Sequence, residues 1–246
     1  MLPRLPAIDQ TFPAVATNLA ADEALLLAAE EGAGPPILRF WELDHPAVVL
    51  GASCRLAREV RVEACRADGV PIARRSSGGG TVVIGPGALS VTLVLPLDAE
   101  PAAFRAVDTA QRFVLDRVAG ALRDFGPPVE MLGSGDLTVG GRKVAGSAQR
   151  RLRGHMMIHF SLLYDFDLPL IDRYLAMPPR QPSYRADRGH LDFVANLPLP
   201  RAAIVAAIRA AWAAPGPGLD PDFPPTGRIA DLVRDKFGRA DWIERL

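Results

Sequence analysis

At 246 residues, 49% of them hydrophobic and 23% charged, the chain has the composition of an ordinary globular protein and is too apolar to be disordered. Its 28 basic and 28 acidic residues cancel, which excludes attraction to nucleic acid through bulk charge and leaves recognition to local groups. The two cysteines, Cys54 and Cys65, exclude a disulfide framework and suit a reducing cytoplasm, and no apolar run approaches the roughly 20 residues of a membrane span.

Residues 1–16 carry prolines and no periodicity, and read as an irregular lead-in. Asn18 is a good N-cap residue, followed by Asp22 and Glu23 in the early turns and by apolar Leu19, Leu25, Leu26 and Ala29, so a helix is expected to start there and stop at Gly32 and Gly34. Residues 37–43 and 47–50 read as strands joined in a hairpin by Asp44-His45-Pro46, with His45 a turn residue. A short helix over 59–67 and a strand over 70–74 follow. Residues 81–84 and 89–95 are β-branched and apolar on either side of Gly85-Pro86-Gly87, which predicts a second hairpin.

Ala102 to Phe125 places Phe104, Val107, Gln111, Val114, Val118, Leu122 and Phe125 at helical steps, the stripe of a core-facing helix. A strand is expected at 129–132. Asp136–Val139 and Arg142–Ala145 then flank Gly140-Gly141, a two-residue loop that demands a tight hairpin of the primed type. His155 to Tyr164 alternates as a strand does, with Ile158, Phe160 and Leu162 on one face and His159 and Ser161 on the other, toward a cleft or water. Residues 167–176 read as a short helix, and 177–190 as a polar, proline-rich loop able to order over a ligand, with Arg185 and Arg188 solvated. A helix over 200–213, a linker over 214–227 and a last helix over 228–237 complete the chain, and the part beyond the linker is too short to be a domain.

The stretch Arg74-Arg75-Ser76-Ser77-Gly78-Gly79-Gly80-Thr81-Val82-Val83 concentrates the chemistry. Glycine can take φ > 0 and bring backbone N–H groups against a bulky anion. Arginine grips phosphate or carboxylate through a bidentate fork, whereas lysine acts as a mobile point charge. Lysine is scarce in this chain, so Lys143, within Gly141-Arg142-Lys143-Val144-Ala145-Gly146-Ser147-Ala148, is the natural complement. Together the two stretches describe a site for an acyl or phosphoryl anion. The glycine run lies between strands, and neither G-x-x-x-x-G-K-[ST] nor G-x-G-x-x-G is present, which excludes the NTPase and dinucleotide loops. A surface turn is the competing reading of the glycines, and a solvated strand residue that of Lys143; their coincidence argues for a site.

Asn18-Leu19-Ala20-Ala21-Asp22-Glu23, the arginine and glycine stretch, and Asp136-Leu137 followed by residues 141–149 resemble, in that order, the lipoate-protein ligase and octanoyltransferase family, which shares its catalytic domain with biotin-protein ligases. The resemblance runs over residues 15–200. It implies an α+β fold, a mixed and mostly antiparallel sheet packed against helices as in class II aminoacyl-tRNA synthetases, with 1–246 a single catalytic domain whose C-terminal helical extension covers 200–246. It implies that Arg75, Ser77, Gly78, Gly79, Gly80, Thr81, Val82 and Val83 bind the nucleotide phosphates or an acyl adenylate, and that Lys143 is the catalytic cation at the acyl carbonyl and α-phosphate. Asp136 would place Mg²⁺ or the attacking amine, and Gly146, Ser147, Ala148 and His159 would lie along the acyl chain. The implied substrates are ATP with Mg²⁺ and lipoate or octanoate. The implied acceptor is a lysine of a lipoyl domain, on the E2 subunit of a 2-oxoacid dehydrogenase or on the glycine cleavage H protein. Charge that builds on the α-phosphate and then on the acyl oxygen needs a fixed cation and N–H donors, which these residues supply.

Two departures divide the activities within the family. Many of its ligases follow the glycine motif with a His-Asp pair, whereas Ile84-Gly85-Pro86-Gly87 is closer to the octanoyltransferases. Those transferases, however, carry the acyl group as a thioester on a cysteine near the lysine, and no cysteine lies after position 65. The chain also lacks the accessory domain of many stand-alone ligases, which implies an accessory subunit or transfer alone. An ATP-dependent ligase is the leading expectation. The alternatives are an ATP-independent acyltransferase drawing on acyl-carrier protein or another lipoyl domain, a biotin ligase, and a non-catalytic ligand-binding subunit.

Overall fold

Two β-sheets share the chain, and the seam between them is where the glycine and lysine stretches meet. The computed structural model describes residues 4–213 and 223–246. The larger sheet has seven strands in the order β1 (Ala7–Asp9), β2 (Ile37–Trp41), β6 (Ala88–Pro96), β10 (His155–Leu163), β9 (Arg142–Arg151), β8 (Asp136–Val139) and β7 (Val129–Leu132), antiparallel throughout except for the β1–β2 pair. The smaller sheet has three strands, β4 (Ile72–Arg74), β3 (Ala47–Leu50) and β5 (Val82–Ile84). The α+β architecture expected from the sequence is the one observed. Among the described residues no helix is long and apolar enough to cross a membrane.

The central strands of the large sheet are buried on both faces, so their side chains sort by parity between two cores. Leu89, Val91, Leu93 and Leu95 of β6, with Ile158 and Phe160 of β10, pack beneath helices α4 (Val107–Arg123) and α7 (Arg201–Trp212). The alternate positions face helix α1 (Val15–Glu30) and the small sheet, and His159 and Ser161 are among them. The shorter helices α2 (Leu56–Glu59), α3 (Val62–Ala67), α5 (Pro169–Tyr174) and α6 (His190–Phe193) border the small sheet. Helix α8 (Thr226–Leu232) runs into a wider π turn, Val233–Phe237, and ends in α9 (Ala240–Ile243); its Ile229 and the turn's Phe237 bury in the core that α1 shares.

Several expectations are corrected. Neither predicted hairpin over 37–50 or 81–95 forms: β2 and β6 join the large sheet, while β3 and β5 pair with each other in the small one. The turn residues do not decide the pairing. β2 and β3 are each buried at every position, and each finds partners on both sides in its own sheet, β2 between β1 and β6 and β3 between β4 and β5. Helix α1 begins at Val15, with Asn18 inside it and fully buried. Instead of capping, the Asn18 carboxamide accepts from Phe12 N at 3.0 Å and donates to Phe12 O at 2.6 Å, which staples the lead-in to the helix. The long helix starts at Val107, the residues from 101 being turns, and the helix expected over 228–237 is α8 continued by the π turn, with the unpredicted α9 beyond it. Of the predicted linker, 214–222 lie outside the described residues.

Candidate active site

Strand β4 leads into the glycine loop, and its last residue holds the loop from behind. The fully buried Arg74 guanidinium donates to Gly51 O at 2.9 Å, Cys54 O at 2.7 Å and Ile243 O at 2.7 Å. Arg75 turns the other way and gathers the loop around itself, donating to Gly78 O and Gly80 O at 2.7 Å each and to Ser77 Oγ at 3.1 Å. Burial lowers its pKa to about 10, so it keeps its charge at neutral pH. With those carbonyls turned to Arg75, the Gly78, Gly79 and Gly80 N–H groups donate to no acceptor among the described residues.

Of the three glycines only Gly79 takes a left-handed backbone, with φ 81°. Gly51, which carries no local signal in the sequence, is equally constrained. A Cβ on Gly51 would stand 2.0 Å from Gly79 O, so the loop lies directly against that backbone.

Lysine 143 is delivered by the hairpin of β8 and β9, whose Gly140 (φ 56°) and Gly141 (φ 71°) form the tight primed turn the sequence demands. A bulge between Leu137 and Thr138 shifts the register so that Asp136 stands opposite Gly146 and Lys143 opposite Thr138. Lys143 then folds back across Gly146: a Cβ there would meet Nζ at 2.6 Å and Cε at 2.7 Å. Its Nζ lies 2.7 Å from Asp136 Oδ1, while Asp136 Oδ2 accepts from the Tyr184 hydroxyl at 2.7 Å. Burial, then the Asp136 charge, raises the Tyr184 pKa, so the phenol stays a donor. Both Asp136 oxygens thus accept from donors, and no group of three or more metal-ligating side chains occurs among the described residues.

Two connected cavities meet at this lysine. The inner one, about 100 Å³, is lined by Leu19, Trp41, Val49, Ile84 and Phe160 together with Arg75, Ala148 and His159. The outer one, about 440 Å³, lies within the range of small-molecule sites and is bordered by Gly79, Val83, Asp136, Ile171, Arg185 and Phe193. Gly80, Thr81, Val82, Lys143, Gly146 and Ser147 line both. Ser77 and Gly78 line neither. Ser77 Oγ instead bonds His159 Nε2 at 2.5 Å, a tie from the loop to the large sheet. Desolvation first, then Arg75, lowers the His159 pKa to about 3, leaving a neutral ring at physiological pH. The Ser147 hydroxyl is engaged by Gly135 O and by Gln111 Nε2, both at 2.7 Å.

Both cysteines lie outside these cavities. Cys54 is buried beneath the glycine loop, donating to Gly79 O at 3.3 Å, and burial pushes its thiol pKa up; Cys65 is fully buried with the same shift. The loop expected over 177–190 does border the outer cavity, through Pro178, Arg180, Gln181, Pro182, Arg185 and His190, but the sequence does not reveal how its arginine packs. Arg185, expected to be solvated, is 4% exposed and stacks at 4.6 Å on Phe193, whose later position in the chain offers no local signal.

The model of the lipoyl protein ligase A/B catalytic domain matches residues 14–204. The chain belongs to this family. The octanoyltransferase LipM of Symbiobacterium thermophilum is 32% identical over 190 residues, which cover 68% of this chain and 68% of that relative. The bi-partite lipoate protein ligase of Thermoplasma acidophilum, described with its E2 lipoyl domain, superposes with a TM-score of 0.82 at 20% identity, over 98% of this chain and 96% of that one. A lipoate-protein ligase A bound with ATP superposes with a TM-score of 0.79 at 22% identity over 100% of both chains. At those identities the two structures speak for the fold. The family contains both ligases and octanoyltransferases, and the chain is an enzyme of this kind.

Proposed function

We propose that this enzyme activates lipoate or octanoate with ATP, the nucleotide bringing its own Mg²⁺, and passes the acyl group to a lysine of a lipoyl domain in the cytoplasm. The acceptors in this reading are E2 subunits of 2-oxoacid dehydrogenases or the glycine cleavage H protein. The supporting observation is a lysine at the junction of two cavities, neither lined by a cysteine. Without a thiolate there, the enzyme itself cannot hold the acyl group as a thioester, which favours a mixed anhydride with AMP as the activated form.

In this reading the alkyl chain occupies the inner cavity, whose apolar walls and neutral His159 spare it a buried charge. The carboxylate oxygen attacks the α-phosphorus and pyrophosphate leaves. The acceptor amine then attacks the acyl carbon, AMP leaves with the bonding pair, and the amine gives up a proton. Lys143 faces the charge that grows in both steps, and the free N–H groups of the glycine loop supply donors beside it.

A second reading is favoured by the 32% identity to an octanoyltransferase: transfer from a carrier-bound thioester without ATP. One assay separates the two. The purified chain and an apo lipoyl domain receive octanoate with MgATP, preformed octanoyl adenylate, or octanoyl-carrier protein without nucleotide, and intact mass reports octanoylation. ATP-dependent gain supports the ligase, and gain from the carrier alone establishes the transferase. Gain only from the adenylate assigns activation to an accessory subunit; no gain from any donor overturns both readings.

A further inference from the structure

Arg185 is a buried cation without an anion. It ends the 3-10 turn Ser183–Arg185, is 4% exposed and lines the outer cavity. Its Nε donates to Arg188 O at 2.9 Å, and Nη2 reaches only Met177 Sδ and His190 Nδ1, each at 3.4 Å. Nη1 has no hydrogen-bond partner among the described residues, and no carboxylate among them pairs with Arg185 or with Arg180, which lines the same cavity from its exposed side.

Two carboxylates line that cavity. Asp136 is taken by Lys143 and Tyr184, and Glu59 accepts from the Thr81 hydroxyl at 2.7 Å and from Arg55 N at 3.3 Å. Burying a guanidinium costs more than a carbonyl, two long contacts and the face of the Phe193 ring at 4.6 Å return, and the natural compensation is a charged acceptor. The lock on the loop is made by Nε alone, which leaves the outer edge of the fork to a ligand. Two unpaired arginines facing a single remaining carboxylate suit a polyanion better than a lone carboxylate.

The geometry points to a phosphate subsite in the outer cavity, formed by Arg185 with Arg180, that takes a phosphate of the acyl donor away from the bond being broken. This rests on the reading that the donor enters through the outer cavity. The same chemistry is offered by the terminal phosphates of ATP and by the phosphate of a phosphopantetheine thioester.

The test compares wild type with Arg185→Gln, Arg185→Lys and Arg180→Gln. KM is measured for ATP, for octanoyl-phosphopantetheine and for octanoyl-pantetheine, and calorimetry reads the Kd of inorganic pyrophosphate. Arg185→Gln is expected to raise KM for the phosphate-bearing donor and the pyrophosphate Kd by about 10-fold or more, as loss of a charge-assisted hydrogen bond does, with partial recovery in Arg185→Lys. Arg180→Gln moves both in the same direction by less. The KM of octanoyl-pantetheine moves far less, and whichever phosphate-bearing donor responds identifies the source. Unchanged KM and Kd in folded variants would overturn the subsite. So would an equal rise for the phosphate-free donor, or a rise confined to the lipoyl domain. Should Arg185→Gln not fold, Arg185→Lys and Arg180→Gln decide the question by the same readouts. The pyrophosphate measurement needs no turnover, so failure of the proposed reaction leaves it decisive.

Discussion

Lys143 owes its position to an atom that Gly146 lacks. Adding a methyl group there places carbon 2.6 Å from Nζ, and because the neighbour is the end of a flexible side chain, the lysine swings aside while the strand stays intact. Gly146→Ala should therefore lower kcat/KM by about 10-fold or more while thermal unfolding moves by no more than a typical surface change, about 0.5 kcal/mol. Lys143→Ala should cost roughly 10²-fold or more, the size of losing a principal oxyanion contact. Turnover close to wild type in either variant, measured with whichever acyl donor the enzyme uses, would remove Lys143 from the reaction.

His159 sets a pH dependence whose sign follows from its lowered pKa. The unfolded chain takes up a proton near the ordinary value of 6.5, whereas the folded ring refuses it until about 3. The neutral ring's contribution is fully present above pH 6.5 and is lost as pH falls from there toward 3. Thermal unfolding against pH should be steeper over this window for wild type than for His159→Gln. Parallel curves would show that the ring is not held neutral.

At the scale of elements, the glycine loop is fixed from two sides: Arg75 at its centre and Gly51 beneath it. Gly51→Ala sets a carbon against the Gly79 carbonyl, a backbone atom that can yield only by moving the loop. The expected outcome is a stability loss of about 1–3 kcal/mol, as for overpacking elsewhere, with a rise in the KM of the acyl donor. An unchanged Tm and KM would mean that the loop shifts without cost.

What the sequence reveals at this scale is periodicity and special backbone. The Gly140-Gly141 turn, the middle of the α4 stripe from Gln111 to Leu122 and the alternation placing His159 and Ser161 toward the cavity are local patterns, and each is legible; the stripe's ends, Val107 and Phe125, are exposed. Pairing is not, because alternation tells which face a residue occupies and says nothing about its neighbour across the ladder. A hairpin inferred from turn residues therefore gives Ala47–Leu50 the wrong partner. Asn18 is legible as a residue that satisfies backbone, but which backbone it satisfies depends on the path of residues before it. Gly51 acts through a contact with Gly79, a pairing distant in sequence, and Arg185 packs on Phe193 eight residues on, across an irregular loop whose path no periodicity predicts.

For the molecule as a whole, the C-terminal segment is part of the site's foundation. Trp242 Nε1 donates to Arg74 O at 2.9 Å, Ile243 O accepts the Arg74 guanidinium, and Lys236 Nζ meets Glu23 of α1 at 2.8 Å. Trp242→Ala should therefore loosen residues 75–80 as well as the tail, seen as faster amide hydrogen exchange over the loop and a raised donor KM. Exchange that quickens only after residue 225 would confine the effect to the tail.

The small side chains of α1 let the two sheets approach one another. Ala20, Ala21 and Ala24 are fully buried where the helix lies against β4 on one side and β2, β6 and β10 on the other. The helix thus fills the space between the sheet that carries the arginine stretch and the sheet that carries the lysine. A larger side chain at any of the three should therefore disturb that seam as overpacking of a filled core does, although none of them lines either cavity.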